Sequence, residues 1–365
     1  MRKLEKLSVE NFKSIRDQTL VLGALNVFIG GNGSGKSNLI SVFRFLREIV
    51  TQNLRAYTAI KGGADSLLYF GQKQSRSMTI KVEFVSDDAK YSNAYSVYLV
   101  PTTDETFVIS ERAFYHDRVR YPLKPYDVGV SASSVESRLR EHSHLCARQA
   151  MQDLESYRVY HFHDTSDTAA VKLASDLEDN TVLRPQAENL AAFLFWMQAK
   201  HPVHFQNVVS AVRHIAPFFE DFRLQPSRLN ESKIRLEWRE KGSDAYLNAH
   251  ALSDGTLRFI CLATLLLQPQ LPALVLLDEP ELGLHPAAIT VLAELLSSAS
   301  ERTQVIAATQ SVTLVNRLRP EQVWTVERSQ GPTTFNHLSG ADMSQWLDNY
   351  ALGDLWEMNV LGARP

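Results

Sequence analysis

Cysteine is scarce in this chain: Cys146 and Cys261 are the only two in 365 residues. Two thiols exclude a disulfide framework and a zinc finger or hook, and they fit a reducing compartment. Long apolar runs are missing as well. The best, residues 259–267, stops at Gln268-Pro269, well short of the roughly 20 residues that a membrane helix needs. The start, Met1-Arg2-Lys3-Leu4-Glu5-Lys6, lacks the apolar core of a secretion signal. A cytoplasmic protein without membrane contact is expected. Charge of one sign is not in excess: the net charge is -3, so nucleic acid would need a local patch. No heptad run, internal repeat or low-complexity tract occurs, which excludes a long coiled coil. What remains is a globular composition, 44% hydrophobic and 22% charged, at a length that suits one large domain or two lobes.

The most specific stretch present is Gly30-Gly31-Asn32-Gly33-Ser34-Gly35-Lys36-Ser37. It satisfies the phosphate-loop pattern G-x-x-x-x-G-K-[ST] at every fixed position. Asn26-Val27-Phe28-Ile29 before it reads as a strand. After it, Leu39, Val42, Phe43, Leu46 and Val50 recur at helical spacing. The glycines let backbone N–H groups turn inward on phosphates, and the helix start adds partial positive charge. Lys36 supplies a point charge and Ser37 a hydroxyl for Mg²⁺. Gly30, Asn32, Gly33, Ser34, Gly35, Lys36, Ser37 and Asn38 are therefore expected to hold ATP.

Residues 4–10 and 18–22 read as strands around Asn11-Phe12-Lys13-Ser14. Residues 78–84 alternate, with Met78, Ile80, Val82 and Phe84 on one face, as in a half-buried antiparallel strand. Residues 95–100 and 107–115 are expected to pair beside it. Pro122, Pro125 and the serines 131, 133 and 134 predict an exposed loop, and residues 135–155 a helix. Residues 158–162 read as a short strand. Residues 165–219 are expected to form a helical lobe, and 234–239 a strand.

The second half supplies partners for the loop. Ala273-Leu274-Val275-Leu276-Leu277 runs without alternation into Asp278-Glu279-Pro280. Such runs are central strands of a parallel sheet, and acids at their C-terminal ends face the ligand crevice. Asp278 is placed to hold Mg²⁺, and Glu279 to orient and deprotonate a water. Ser253 reads as the cap of a following apolar helix. It precedes Asp278 by one helix and one turn, so Ser253 and Gly255 lie on the same face of the lobe.

These pieces together resemble the ABC-type ATPases of the SMC and RecF class. They are Asn11-Phe12-Lys13-Ser14, residues 30–37, Leu252-Ser253-Asp254-Gly255, Leu277-Asp278-Glu279-Pro280-Glu281, Glu281-Leu282-Gly283-Leu284-His285-Pro286 and Thr309-Gln310-Ser311. The chain is similar to small stand-alone bacterial AAA family ATPases related to the OLD and RecF proteins, without a coiled coil. The resemblance implies an α/β fold of the P-loop NTPase kind with an ABC-type head. That head has a mixed or parallel central sheet with flanking helices, an antiparallel β layer and a helical lobe. It divides the chain into 1–162 and 221–340 as the two parts of the head, 163–220 as the helical insertion and 341–365 as a tail. It also implies a head-to-tail dimer in which residues 30–37 of one subunit face Ser253 and Gly255 of the other across ATP. Residues 282–285 would form the D-loop, and Lys13 and Ser14 would lie near the nucleotide.

Two departures matter. Gln310 stands where most ABC ATPases have histidine. Glutamine can orient a water but takes no proton at neutral pH, so Gln310 and Glu279 are expected to support slow hydrolysis. The Q-loop is not evident; its place falls on His163, Asp164 and Thr165, or on Gln72 or Gln74 if the strand order differs. His161 with His163, and His142 with His144 and Cys146, do not present a third ligand on one face. No toprim-like nuclease segment is evident after Pro320, so cleavage is expected from a separate effector. Residues 112–124 mix bases with aromatics and could touch DNA. The expected function is an ATP-driven switch for a nuclease-like partner in bacterial anti-phage defence or DNA metabolism. A RecF-like DNA-binding repair ATPase and an ATP-binding scaffold are the alternatives.

Overall fold

The computed structural model of the protein describes residues 2–328 and 330–364. In chain order, β1 (Lys3–Phe12), β2 (Ile15–Val21) and β3 (Leu25–Ile29) lead into α1 (Lys36–Val50), α2 (Leu54–Ile60) and α3 (Ala64–Leu67). Next come β4 (Met78–Val85), β5 (Tyr91–Pro101), β6 (Phe107–Asp117) and β7 (Tyr126–Ser134). They are followed by α4 (Leu145–Ser156), β8 (Arg158–Tyr160) and β9 (Ser175–Asp176). Helices α5 (Leu190–Lys200) and α6 (Pro202–Ile215) precede the short strands β10 (Phe219–Arg223), β11 (Pro226–Ser227), β12 (Asn230–Ile234), β13 (Glu237–Glu240) and β14 (Tyr246–Asn248). Then α7 (Asp254–Leu267), β15 (Leu274–Asp278), α8 (Pro286–Arg302), β16 (Gln304–Thr309) and α9 (Val312–Val315) alternate. The order ends with β17 (Val323–Glu327), β18 (Thr334–His337), α10 (Gly340–Leu347) and α11 (Leu352–Glu357).

The unalternating run at 274–277 is explained by its place in the central sheet, ordered β18-β17-β3-β16-β15-β8. Strands β8, β15, β16, β3 and β17 are parallel, and only β18 is antiparallel. Both faces are covered. Leu274, Leu276, Ile306, Ala308 and Phe28 pack toward α1 and the antiparallel layer. Val275, Leu277, Val305, Ala307, Val27 and Ile29 pack toward α5–α8. Leu274, Val275, Leu276 and Leu277 are therefore buried whichever way they point. The antiparallel layer, ordered β2-β1-β4-β5-β6-β7, does alternate: Met78, Ile80, Val82 and Phe84 are buried and the residues between them are not. Helix α1 lies between the two sheets, so it carries apolar residues over most of its circumference. The fold is thus the expected α/β arrangement of a mixed central sheet, flanking helices and an antiparallel layer.

Several local expectations are corrected. The serine run lies in β7, an edge strand bonded only to β6 with an irregular register. An edge strand has one solvated side and tolerates serine and glycine there. The expected helix over 135–155 begins only at Leu145, where His144 Nδ1 accepts from Cys146 N. His142 and His144 therefore precede the helix instead of lying within it. Residues 165–189 are not regularly helical. The buried Asn189 side chain organises part of this segment, donating to Asp179 O and Val182 O and accepting from Arg184 N. The strand expected over 234–239 is split: β12 and β13 belong to different small sheets. Ile234, Leu236 and Trp238 are all buried, so the alternation survives the crossing.

Candidate functional site

Gly35 caps α1 in a left-handed conformation, φ +112°, and Gly33 also has positive φ, +75°. A Cβ on Gly35 would collide with Thr333, so both conformation and space demand glycine there. Lys36 is buried, and its ammonium folds back onto the carbonyls of Gly30 and Gly31, the latter at 3.0 Å. Burial pulls its pKa below the usual lysine value, while Glu279, Asp278 and Glu281 oppose that shift. Ser34 Oγ is buried with no partner in the structure. A cation resting on neutral carbonyls beside an unused hydroxyl fits an anionic ligand such as a phosphate.

The strands then bring distant residues to this loop. Ser37 Oγ lies 3.5 Å from Asp278 Oδ1. Burial, and then the neighbouring Glu279, push the Asp278 carboxyl above the usual range, which Ser37 and Lys36 partly offset. A hydroxyl and a carboxylate converging beside a second carboxylate match the oxygen donors that Mg²⁺ takes together with nucleotide phosphates. Glu279 sits at φ +47°, a costly conformation for a non-glycine residue. It is held there by its N–H bond to Ala308 O and by Gln310, whose Nε2 donates to Glu279 Oε1 at 2.5 Å. Gln310 N donates to Glu281 Oε1 at 2.8 Å.

Asn38, Ser14 and Thr333 brace the loop from behind. Asn38 Nδ2 donates to Ser14 Oγ at 2.7 Å, and Thr333 Oγ1 lies 2.7 Å from the same oxygen. Thr333 also donates to Ser34 O at 2.9 Å and, through its own N–H, to Ser14 O at 2.8 Å. Asn32 and Gly33 are exposed at the rim. Lys13, at φ +48°, bonds through its N–H to Leu67 O, and its ammonium lies over the Phe12 ring. Burial, with Lys61 and Arg44 nearby, lowers its pKa.

Ser253 caps α7 through Thr256 N, and it is exposed. Among the described residues no hydrogen bond joins Ser253 or Gly255 to residues 30–37. His163, at the expected Q-loop place, lies with Nε2 2.9 Å from Asp278 O. Gln72 and Gln74 lie on the turn before β4. His161 accepts from Arg44, and burial followed by that charge holds its pKa down at about 4. In the 112–124 segment, Arg112 pairs with Asp127 and Arg118 with Glu5, which leaves fewer cations for a nucleic acid. Three residues at the site carry no role in the sequence reading: Glu281, Thr333 and Arg258. Glu281 lies inside the acidic motif and was within reach of that reading. Thr333 has no local signal.

The family model described as "AAA domain, putative AbiEii toxin, Type IV TA system" matches residues 25–316. No curated protein matches the chain. Among solved structures, an SmcHead bound to the C-winged helix domain of ScpA is similar at a TM-score of 0.64 and 16% identity, covering 94% of this chain and 99% of that one. The Smc head with an extended coiled coil and the C-terminal domain of ScpA, from Pyrococcus furiosus, is similar at 0.60 and 16% identity, with coverages of 95% and 99%. An Smc head with a coiled coil and joint from Pyrococcus yayanosii is similar at 0.53 and 12%, with coverages of 95% and 99%. At these identities the likeness shows the fold, and the family match covers most of the chain. The chain belongs to the family described as "AAA domain, putative AbiEii toxin, Type IV TA system", a family of ATPases, and its fold is similar to that of an Smc head.

Proposed function

We propose that the chain is an ATP-driven switch subunit: two copies close head-to-tail on ATP, and the closed dimer regulates a separate, nuclease-like effector in anti-phage defence. One observation carries this reading. Lys36, Ser37, Asp278 and Glu279 gather at the phosphate loop, while Ser253 and Gly255 begin α7 without a bond to that loop. A helix start of this kind suits an anion, and the loop of a second copy would present one.

In each site Lys36 meets the phosphate charge, and Ser37 with Asp278 would hold Mg²⁺. The metal would neutralise charge on the transferring phosphoryl group. Glu279 takes the proton of the attacking water, and Gln310 fixes the carboxylate. Because Gln310 moves no proton itself, hydrolysis is slow and ATP serves mainly as a clamp. A partner protein is supported by the similar SmcHead bound to a domain of ScpA. The defence setting is supported by the toxin and Type IV TA system of the family description.

Light scattering tests the reading. Glu279→Gln should form a dimer in ATP and retain the effector from native cells, and Lys36→Ala should form neither. A Glu279→Gln chain that stays monomeric at saturating ATP overturns the shared site. Wild-type turnover above roughly ten per second, a median enzyme rate, overturns the clamp.

A further inference from the structure

At one end of the antiparallel layer, strands β5, β6 and β7 run beyond the packed core. Their register sets Tyr115 opposite both Asn93 and Tyr126, with Tyr91 two residues before Asn93 on the same face. Further back on that face Tyr95 and Ala113 are fully buried, whereas Tyr91, Tyr115 and Tyr126 are exposed. A cavity of about 540 Å³ opens between these tyrosines and the start of α4, where His144 and Gln149 complete the wall. Its rings lie in near-parallel pairs: Tyr91 with Tyr115 at 6.2 Å and 17°, and Tyr126 with His144 at 6.0 Å and 30°. The Asn93 and Gln149 amides meet at 2.7 Å, which leaves Gln149 Nε2 without a partner among the described residues. A second cavity, of about 930 Å³, shares Tyr115 and Tyr126 and continues along the β6–β7 turn past Arg120, Tyr121 and Lys124. The carboxylates of this rim are engaged: Asp117 accepts from Val119 N and Arg120 N, and Asp127 pairs with Arg112. Arg120 lies over the Tyr121 ring and, like Lys124, has no ion pair among the described residues.

Aromatic faces, an amide with spare donors and two uncommitted cations complement a planar ring with acceptors on its edge and an anion attached. A nucleotide has all three. We propose that this groove is a nucleotide-binding site separate from the phosphate loop. The base stacks on Tyr115 and Tyr126, its edge accepts from Gln149, and its phosphate meets Arg120 and Lys124. The groove uses no residue of the phosphate loop, so the inference stands whether or not two copies share ATP. A free nucleotide and a single strand of nucleic acid offer the same base and phosphate, and the two adjoining cavities have room for either.

The test uses the full chain carrying Lys36→Ala, which removes ATP binding at the phosphate loop. AMP and CMP are titrated by calorimetry, and a fluorescein-labelled oligothymidylate of about eight nucleotides by anisotropy. One of these probes should bind. Tyr115→Ala should weaken it by roughly tenfold or more, while Tyr115→Phe, which keeps the ring, should bind as before. Arg120→Ala with Lys124→Ala should weaken binding and flatten its salt dependence. An oligomer affinity above that of AMP and CMP marks a strand as the occupant, and no gain over them marks a free nucleotide; either supports the site. If Tyr115→Ala fails to fold, Gln149→Ala and the exposed Arg120 and Lys124 pair decide. Absence of binding by every probe at about 1 mM, binding of a polyproline peptide alone, or affinities unchanged in all these variants overturns the site.

Discussion

Glu279 depends on a relay of hydrogen bonds. Its strained backbone aims the carboxylate, Gln310 Nε2 fixes one oxygen, and Glu281 fixes the Gln310 backbone. Burial raises the Glu281 pKa, while Thr309 and the Gln310 N–H partly offset it. Glu281→Ala leaves a half-buried N–H without its acceptor, a loss of about 1–3 kcal/mol. We expect kcat to fall by roughly tenfold or more, since 1.36 kcal/mol is one decade, with ATP affinity nearly unchanged. Glu281→Gln keeps an acceptor and should retain most activity. Turnover assays with calorimetric ATP titration check both. Equal losses of kcat and affinity in Glu281→Ala would show that Glu281 shapes the loop instead of the switch.

At the scale of elements, the hairpin β17–β18 does more than extend the central sheet. Thr333, between its strands, is fully buried against Ser14 and Ser34. Thr333→Val keeps the shape and removes the hydroxyl, leaving buried acceptors short of a partner. At about 1–3 kcal/mol, ATP affinity should weaken by roughly tenfold, and Thr333→Ser should recover it; isothermal titration decides.

Helix α4 carries a pH effect of a different kind. Asp153 pairs with Arg2, yet burial outweighs Arg2 and pushes its carboxyl up to about 6. The folded chain therefore holds this proton more tightly than the unfolded chain. The contribution is fully present below the unfolded value of 3.8 and is lost as pH rises through about 6. Asp153→Asn should flatten that decline in denaturant midpoints measured from pH 4 to 7. An unchanged slope would remove Asp153 as its source.

At the scale of the whole molecule, the prediction concerns concentration. A ligand that binds only the folded state stabilises it by mass action, about 2.7 kcal/mol at a hundredfold excess over Kd. If ATP also joins two copies, the Tm of Glu279→Gln in ATP should rise with protein concentration, whereas that of Lys36→Ala should not. A concentration-independent Tm in scanning calorimetry would count against the dimer. With a net charge of only -3, long-range repulsion between copies is weak. The tail also closes on its own chain: Trp356 is fully buried and donates to Ala363 O, while Trp346 and Tyr350 stay exposed.

The sequence alone determined the phosphate loop, the strand ending in Asp278 and Glu279, the cap at Ser253 and the α/β class. These rest on local chemistry: glycine's backbone freedom, a cap reaching a nearby N–H, and apolar runs that suit strands buried on both faces. Segments without such constraints fold differently from what their local pattern suggests. The serines of β7 resemble a loop because an edge strand needs few apolar residues, and residues 165–189 resemble helix although Asn189 satisfies their backbone from a distance. Only the tertiary structure decided which residues brace the site. Thr333 meets Ser14, Glu281 meets Gln310, and Arg258 meets His163 and Leu282. Those pairs are far apart in the chain, and no local periodicity encodes them. Glu281 meets Gln310 because the parallel strands β15 and β16 bring their C-terminal ends to one edge, where the loops after them must satisfy each other's hydrogen bonds.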